Sequence, residues 1–484
     1  MVAWPGRVRR RARRAVLPAG DGGLSLRSGL PLLVAAVAAA AAALGIGVRA
    51  LESAHVAVDE EQYVLSATSL AEDGNLDITD ELADQRWRAF ADVPPHIETF
   101  VLLDGSQISP HDPLLPLLLA VPTGLGGWVG AKLALAIVAG GVAALTLWLA
   151  VRRFGVHPGT AATGAGIAGA SMPLAVHGQQ IYPELPAAFV TLLGVVALTG
   201  AVRRRELVLL AAAVTVLPWL SIKYGLVATS LAAIGAARWW RAGRRRDVAG
   251  LAGGLAVLGA CYLTVHRLVW GGWTAYASGE HFRETGEFAV IGVDPDYVER
   301  ALRLVGLLLD GQFGLVPWQP AWLLAVPAVA ALVAARAPSR GVLLWPLAAG
   351  WFVATFVALT MHGYWFPGRQ VVVVLPLAVL AVLRWVDGAG RGVRIVALGL
   401  GLAGVVNYAV FLVQGWLRGT TWVVHFVDSA APVYRVLLPV LTDWRGEYRL
   451  AHLAGLVVIA ALAAWGTWSA RSRSRSDDPL AQGV

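Results

Sequence analysis

A succession of long apolar runs, many of them ending in arginine-bearing segments, restricts this chain more than any other feature. The runs lie near 30–48, 130–151, 159–176, 184–202, 206–221, 223–237, 248–270, 318–335, 341–361, 366–383, 393–416 and 448–468. Many approach the ~20 residues that a helix needs to cross a bilayer core. They are unbroken rather than alternating, which favours helices over strands. The 484 residues are 57% hydrophobic and 14% charged, with a mean hydropathy of +0.63. Such values exclude a soluble enzyme, a disordered chain and a coiled coil. The expected fold is all-α and polytopic, with about twelve transmembrane helices.

The net charge of +8 invites a nucleic-acid reading. Its distribution favours topology instead. Lys132 and Lys223 are the only lysines, and the arginines gather at alternate ends of the runs. They stand at Arg152 and Arg153, Arg203 to Arg205, Arg238 to Arg246, Arg336 and Arg340, Arg384 to Arg394, and Arg471 to Arg475. Under the positive-inside rule these ends are cytoplasmic, and so are both termini. Residues 1–28, with Arg7, Arg9, Arg10, Arg11, Arg13 and Arg14, read as a basic cytoplasmic tail ahead of an uncleaved first helix. Residues 29–470 form the membrane domain and 471–484 a disordered cytoplasmic tail. A lone Cys261 within an apolar run excludes a disulfide framework and a cysteine metal site.

The opposite side is acidic. A first outer loop, 52–112, carries fourteen Asp and Glu against Arg86 and Arg88. Further outer loops span 271–299, with Glu280, His281 and Glu284, and 417–447, with His425, Asp428 and Asp443. Loops this long commonly carry function. The proline-broken stretch 113–122 and the stretch 298–309 read as helices lying in the outer interface. Within the first loop, Val58-Asp59-Glu60-Glu61-Gln62-Tyr63 suits a helix in which Asp59 and Tyr63 share a face while Glu60 points about 100° away. Either Asp59 or Glu60, just above the hydrocarbon boundary, can serve as a base toward an alcohol.

These residues and others in the same order resemble the GT-C glycosyltransferases. Those are multispanning enzymes that use polyprenyl-phosphate sugars, among them protein O-mannosyltransferases and aminoarabinose transferases. The similar segments are Asp59-Glu60-x-x-Tyr63, Gly105 to Pro116 with Ser109, His111 and Asp112, and Tyr182-Pro183-Glu184-x-Pro186. Asp310 to Pro320 and Gly363 to Arg369 complete the set, which covers roughly residues 30–385. Ile108 stands where many bacterial relatives have Tyr, and no large soluble domain follows the last run.

The resemblance implies a sugar transfer, with inversion, from a polyprenyl-phosphate carrier to a glycan, lipid or protein acceptor outside the cytoplasmic membrane. Asp59 or Glu60 would be the base. Arg369 and Lys223, basic residues at outer helix ends, would hold the departing phosphate. Tyr63, His111, Asp112, Tyr182 and Glu184 would contact substrate; Glu184 also suits a helix N-terminus. No cofactor, metal or nucleic-acid partner is expected, although two acids and a histidine can hold a divalent cation. Two rival classes stay open: a transporter or flippase of lipid-linked glycans, and a polymerase or ligase using a diphosphate-linked oligosaccharide.

Overall fold

The computed structural model describes residues 29–96, 98–279, 296–335, 340–358, 360–444 and 450–476. The basic stretch 1–28, the loop residues Glu280, His281 and Glu284, and residues 477–484 lie outside them. Every one of the twelve apolar runs contains a helix. The architecture is that of a multi-pass helical membrane protein. Among the described residues the only paired strands are Phe100–Val101 and Gln107–Ile108, a small antiparallel hairpin in the first acidic loop.

Among the described residues six helices are by themselves long and apolar enough to cross a membrane: Leu114–Arg152, Arg245–Trp270, Arg340–Val357, Arg369–Asp387, Arg391–Trp416 and Leu450–Ser472. Three shorter apolar helices, Leu30–Leu44, Glu184–Thr199 and Pro320–Ala334, accompany them. The remaining runs form Pro158–Gly169, Arg204–Leu220 and Gly225–Arg241. Several helices are short because they stop where polar groups are packed into the bundle. Leu220 gives way to a tight turn at Ile222–Tyr224, and Glu184 opens its helix within the segment 171–188, every residue of which is buried.

The proline-broken stretch before the second run is helical and continuous with it. The helix Leu114–Arg152 loses helical geometry at Gly126 and Gly127, where φ reaches 59° at Gly127. This glycine pair divides the proline-bearing segment from the span. Tyr297–Leu309 is also a helix; Arg300 and Arg303 donate to the carbonyls of Phe356 and Ala358 at the end of a neighbouring span.

The arginine-bearing turns meet at one end. Arg238 donates to the carbonyls of Leu198 and Gly200, Thr160 bonds Asp387 at 2.8 Å, and Trp385 bonds Ser469 at 3.2 Å. The acidic loops gather at the other end, over a core that includes Trp318, Phe366, Phe411 and Trp422.

Candidate functional site: a carboxylate and cation cluster

At the acidic end the first loop turns back into the bundle through the helix Asp59–Glu72. Its start is fixed by Glu60. One Glu60 oxygen accepts from the Ala57 amide at 3.2 Å and the other from the Ile181 amide at 2.7 Å. Val58 between them has φ 55°, a strained value for a β-branched residue that costs of order 1–3 kcal/mol. Lys132 Nζ lies 3.7 Å from Glu60, and donates to the His55 carbonyl at 2.8 Å and the Gln179 amide oxygen at 3.0 Å. Glu60 and Lys132 are both fully buried. Glu60 therefore joins the first loop to the buried segment 171–188, while Asp59, about 100° around the helix, faces a different environment.

Asp59 meets Arg369. Its Oδ2 accepts from Arg369 Nη2 at 2.6 Å and lies 3.7 Å from His111 Nε2. Arg369 Nε donates to Glu184 Oε1 at 2.9 Å, and Lys223 Nζ donates to that same oxygen at 2.5 Å. Two carboxylates and two cations thus form a chain, Asp59–Arg369–Glu184–Lys223. The guanidinium carbon sits 3.8 Å from the Tyr182 ring centroid and 5.1 Å from that of Trp365, a cation–π sandwich that holds its plane. Gly368, at φ 86°, makes the turn into Arg369. A Cβ there would come 2.6 Å from a Leu315 methyl, so the turn requires glycine.

The chain is graded in exposure. Glu184 is 1% and Arg369 7% exposed by side chain, whereas Asp59 is 18% and Lys223 25%. Both ends can meet a ligand, and the middle is dry. Burial alone would raise the Asp59 carboxyl, but the Arg369 guanidinium and His111 outweigh it and hold the group well below the usual carboxylate range. Polar capacity remains unused: the second Glu184 oxygen and the Tyr224 hydroxyl are buried without a hydrogen-bond partner.

His111 is held in turn. Its Nδ1 lies 2.9 Å from Ser109 Oγ, and its ring packs 4.8 Å from that of Tyr63. Asp112 is differently placed. Its Oδ2 accepts from the Ile222 amide at 3.1 Å, and its Oδ1 meets Tyr262 Oη at 2.9 Å and His266 Nε2 at 3.1 Å. Asp112 thereby ties the loop to the turn that presents Lys223. Tyr182 gives its face to Arg369 and lies 3.4 Å from the Ala57 carbonyl through its hydroxyl.

All nine residues expected from the sequence converge on this end of the bundle. Lys132, Trp365 and Tyr262 were not anticipated. Lys132 carried a signal, a lone lysine in an apolar run. Trp365 and Tyr262 carried no such signal. His266 is buried against Asp112. Ligand atoms of Asp59, Glu98 and His111 all lie within 4.8 Å of one another, a spacing a divalent cation can bridge.

The fold and cluster describe a multi-pass membrane protein with a chain of paired carboxylates and cations at its acidic end. No family model matches the chain, and no curated protein matches it. Among solved structures it is similar to ArnT from Cupriavidus metallidurans bound to undecaprenyl phosphate. The identity is 16%, with 93% of this chain and 79% of that one covered and a TM-score of 0.49. The apo state of the same protein aligns at 17% identity over 92% and 78%, with a TM-score of 0.45.

Proposed function

We propose that this protein is an integral-membrane glycosyltransferase of GT-C type that takes a sugar from a polyprenyl-phosphate carrier. One observation carries the reading: Arg369 and Lys223 converge on Glu184 beside a partly exposed Asp59. Two fixed cations at a membrane-embedded end suit a phosphate whose lipid tail stays in the bilayer. The adjacent carboxylate suits a base.

In this reading the phosphate draws Arg369 Nη2 away from Asp59. The carboxylate, no longer compensated, regains basicity when donor is bound. An acceptor hydroxyl attacks the anomeric carbon and its proton passes to Asp59. The carbon–oxygen bond to phosphate breaks, and polyprenyl phosphate leaves on Arg369 and Lys223. A single displacement inverts the anomeric centre. Glu60, enclosed with Lys132, positions the Asp59 helix and stays out of the proton transfer. The arginine-rich end faces the cytoplasm and the cluster faces outward, with both termini cytoplasmic. The acceptor is an extracytoplasmic glycan, lipid or protein.

The test is product analysis with purified protein and a polyprenyl-phosphate sugar. Release of free polyprenyl phosphate is the expected result. Lipid movement without cleavage would indicate a flippase, and polyprenyl diphosphate release from a diphosphate-linked substrate a polymerase or ligase.

A further inference from the structure

A second feature lies at the other end of the bundle. The helix Arg391–Trp416 packs unevenly. Its buried residues are Gly401, Gly404, Asn407, Tyr408, Phe411, Leu412 and Gly415, and none of residues 391–400 is buried. Its acidic-end half is pinned by polar bonds: Tyr408 to the Ala41 carbonyl at 2.7 Å, and Asn407 to the Pro317 and Trp318 carbonyls at 3.2 and 3.1 Å. Its arginine-end half stands away from its neighbours Pro158–Gly169 and Leu375–Asp387. The gap is a cavity of about 320 Å³ with walls that include Ile167, Trp322, Val382, Leu383, Ala397 and Leu398. It closes at mid-bundle on Gln319, whose amide bonds Ser171 and the Gly401 carbonyl.

The mouth is cationic. Arg394 lines it, fixed by donation from Nε to the Ala389 carbonyl at 3.0 Å and from Nη2 to the Asp387 carbonyl. Arg391 stands three positions before Arg394 on the same helix, and Arg384 lies in the last turn of the preceding helix Leu375–Asp387. The nearby acid, Asp387, is committed to Thr160 Oγ1 at 2.8 Å and the His157 amide at 3.1 Å. Apolar walls facing a gap lose dispersion contacts unless hydrocarbon fills it, and a bilayer supplies acyl chains along its whole depth. A basic rim at the same level selects an anionic headgroup.

We propose that an anionic phospholipid of the arginine-side leaflet inserts one acyl chain into this cleft, with its phosphate at Arg394. The lipid braces the free half of Arg391–Trp416, which through Asn407 supports the segments at Pro317, Trp318 and Val433 and through Tyr408 the helix Leu30–Leu44. This site is separate from the proposed donor site and does not depend on it.

Delipidated protein in mild detergent, titrated with phosphatidylglycerol or with phosphatidylcholine of the same chains, tests it by native mass spectrometry and thermal unfolding. Wild type should retain phosphatidylglycerol at least about tenfold better and unfold at higher temperature with it. Ala397→Phe and Ala321→Phe, which fill the cleft from different walls, should each abolish retention. Arg394→Gln should erase the preference between the two lipids. Equal retention of both lipids by wild type overturns the proposal without any variant, as does undiminished retention in whichever filled variant folds. Retention of phosphatidylcholine alone also overturns it. None of these readouts involves sugar transfer, so the outcome is independent of the glycosyltransferase reading.

Discussion

Arg369 Nη2 and Asp59 Oδ2 are 2.6 Å apart although 310 positions separate them in the chain. The same guanidinium reaches Glu184, so one side chain compensates two carboxylates in a largely dry place. Removing one partner of a buried pair leaves an uncompensated charge, which typically costs about 3–5 kcal/mol. Arg369→Ala should therefore lower the unfolding temperature and abolish binding of polyprenyl phosphate. Arg369→Lys keeps the charge but cannot span both acids. It should restore much of the stability and little of the binding. Differential scanning fluorimetry with a lipid-phosphate titration reads both; full binding by the lysine variant would show that charge alone suffices.

Lys132 and Glu60 make a second buried pair, at 3.7 Å, away from the open part of the site. Lys132→Met should destabilise by about 3–5 kcal/mol, since Glu60 loses its counter-charge. Adding Glu60→Gln should recover a good part of that loss, because the glutamine keeps an acceptor for the Ile181 amide without a charge. A double-mutant cycle on thermal unfolding checks the coupling; additive losses would mean that the two side chains act separately.

Glu61, the next residue, is pushed up to about 8 by burial and by the neighbouring charges of Glu60 and Glu98. The folded state thus holds a proton that the unfolded chain releases near pH 4.3. Its stabilising contribution is complete below that lower value and is lost as pH rises through about 8. Wild type should lose stability between pH 5 and 8 more steeply than Glu61→Gln. Parallel pH profiles for the two would remove Glu61 as the source.

Asp59, Glu98 and His111 are close enough to bridge a cation, but Arg369 already neutralises Asp59. Transfer should persist after exhaustive treatment with EDTA, and added magnesium, manganese or calcium should change it less than about twofold. Loss on chelation with recovery by one of these ions would assign the trio to a metal.

Much of this arrangement is legible in the sequence because lipid imposes severe rules. Uncharged runs must be helices, and arginine placement sorts their ends. The helical period separates Asp59 from Glu60, and the structure places them in different surroundings accordingly. Other features depend on tertiary contact. Run length alone does not reveal that the helices ending at Leu44 and Leu220 and the one beginning at Glu184 stop short. At Leu220 and Glu184 the ends adjoin the polar cluster, whose residues lie far apart in the chain, and at Leu44 the next carbonyl, that of Gly45, accepts from the Trp422 indole. Asp112 and His266, 154 positions apart, likewise share no local motif, and only the fold brings them within 3.1 Å. Lys132 has no local motif at all; its partners Glu60, His55 and Gln179 arrive from two other segments.

The most direct measurement compares Asp59→Asn with wild type for donor binding and for turnover in one preparation. The asparagine removes a carboxylate that competes with phosphate for Arg369, so polyprenyl-phosphate binding should be unchanged or tighter. Loss of a general base should lower turnover by roughly 10²–10⁴-fold. Equal turnover at matched protein, or loss of binding together with turnover, would contradict a base at Asp59 acting beside a phosphate held by Arg369.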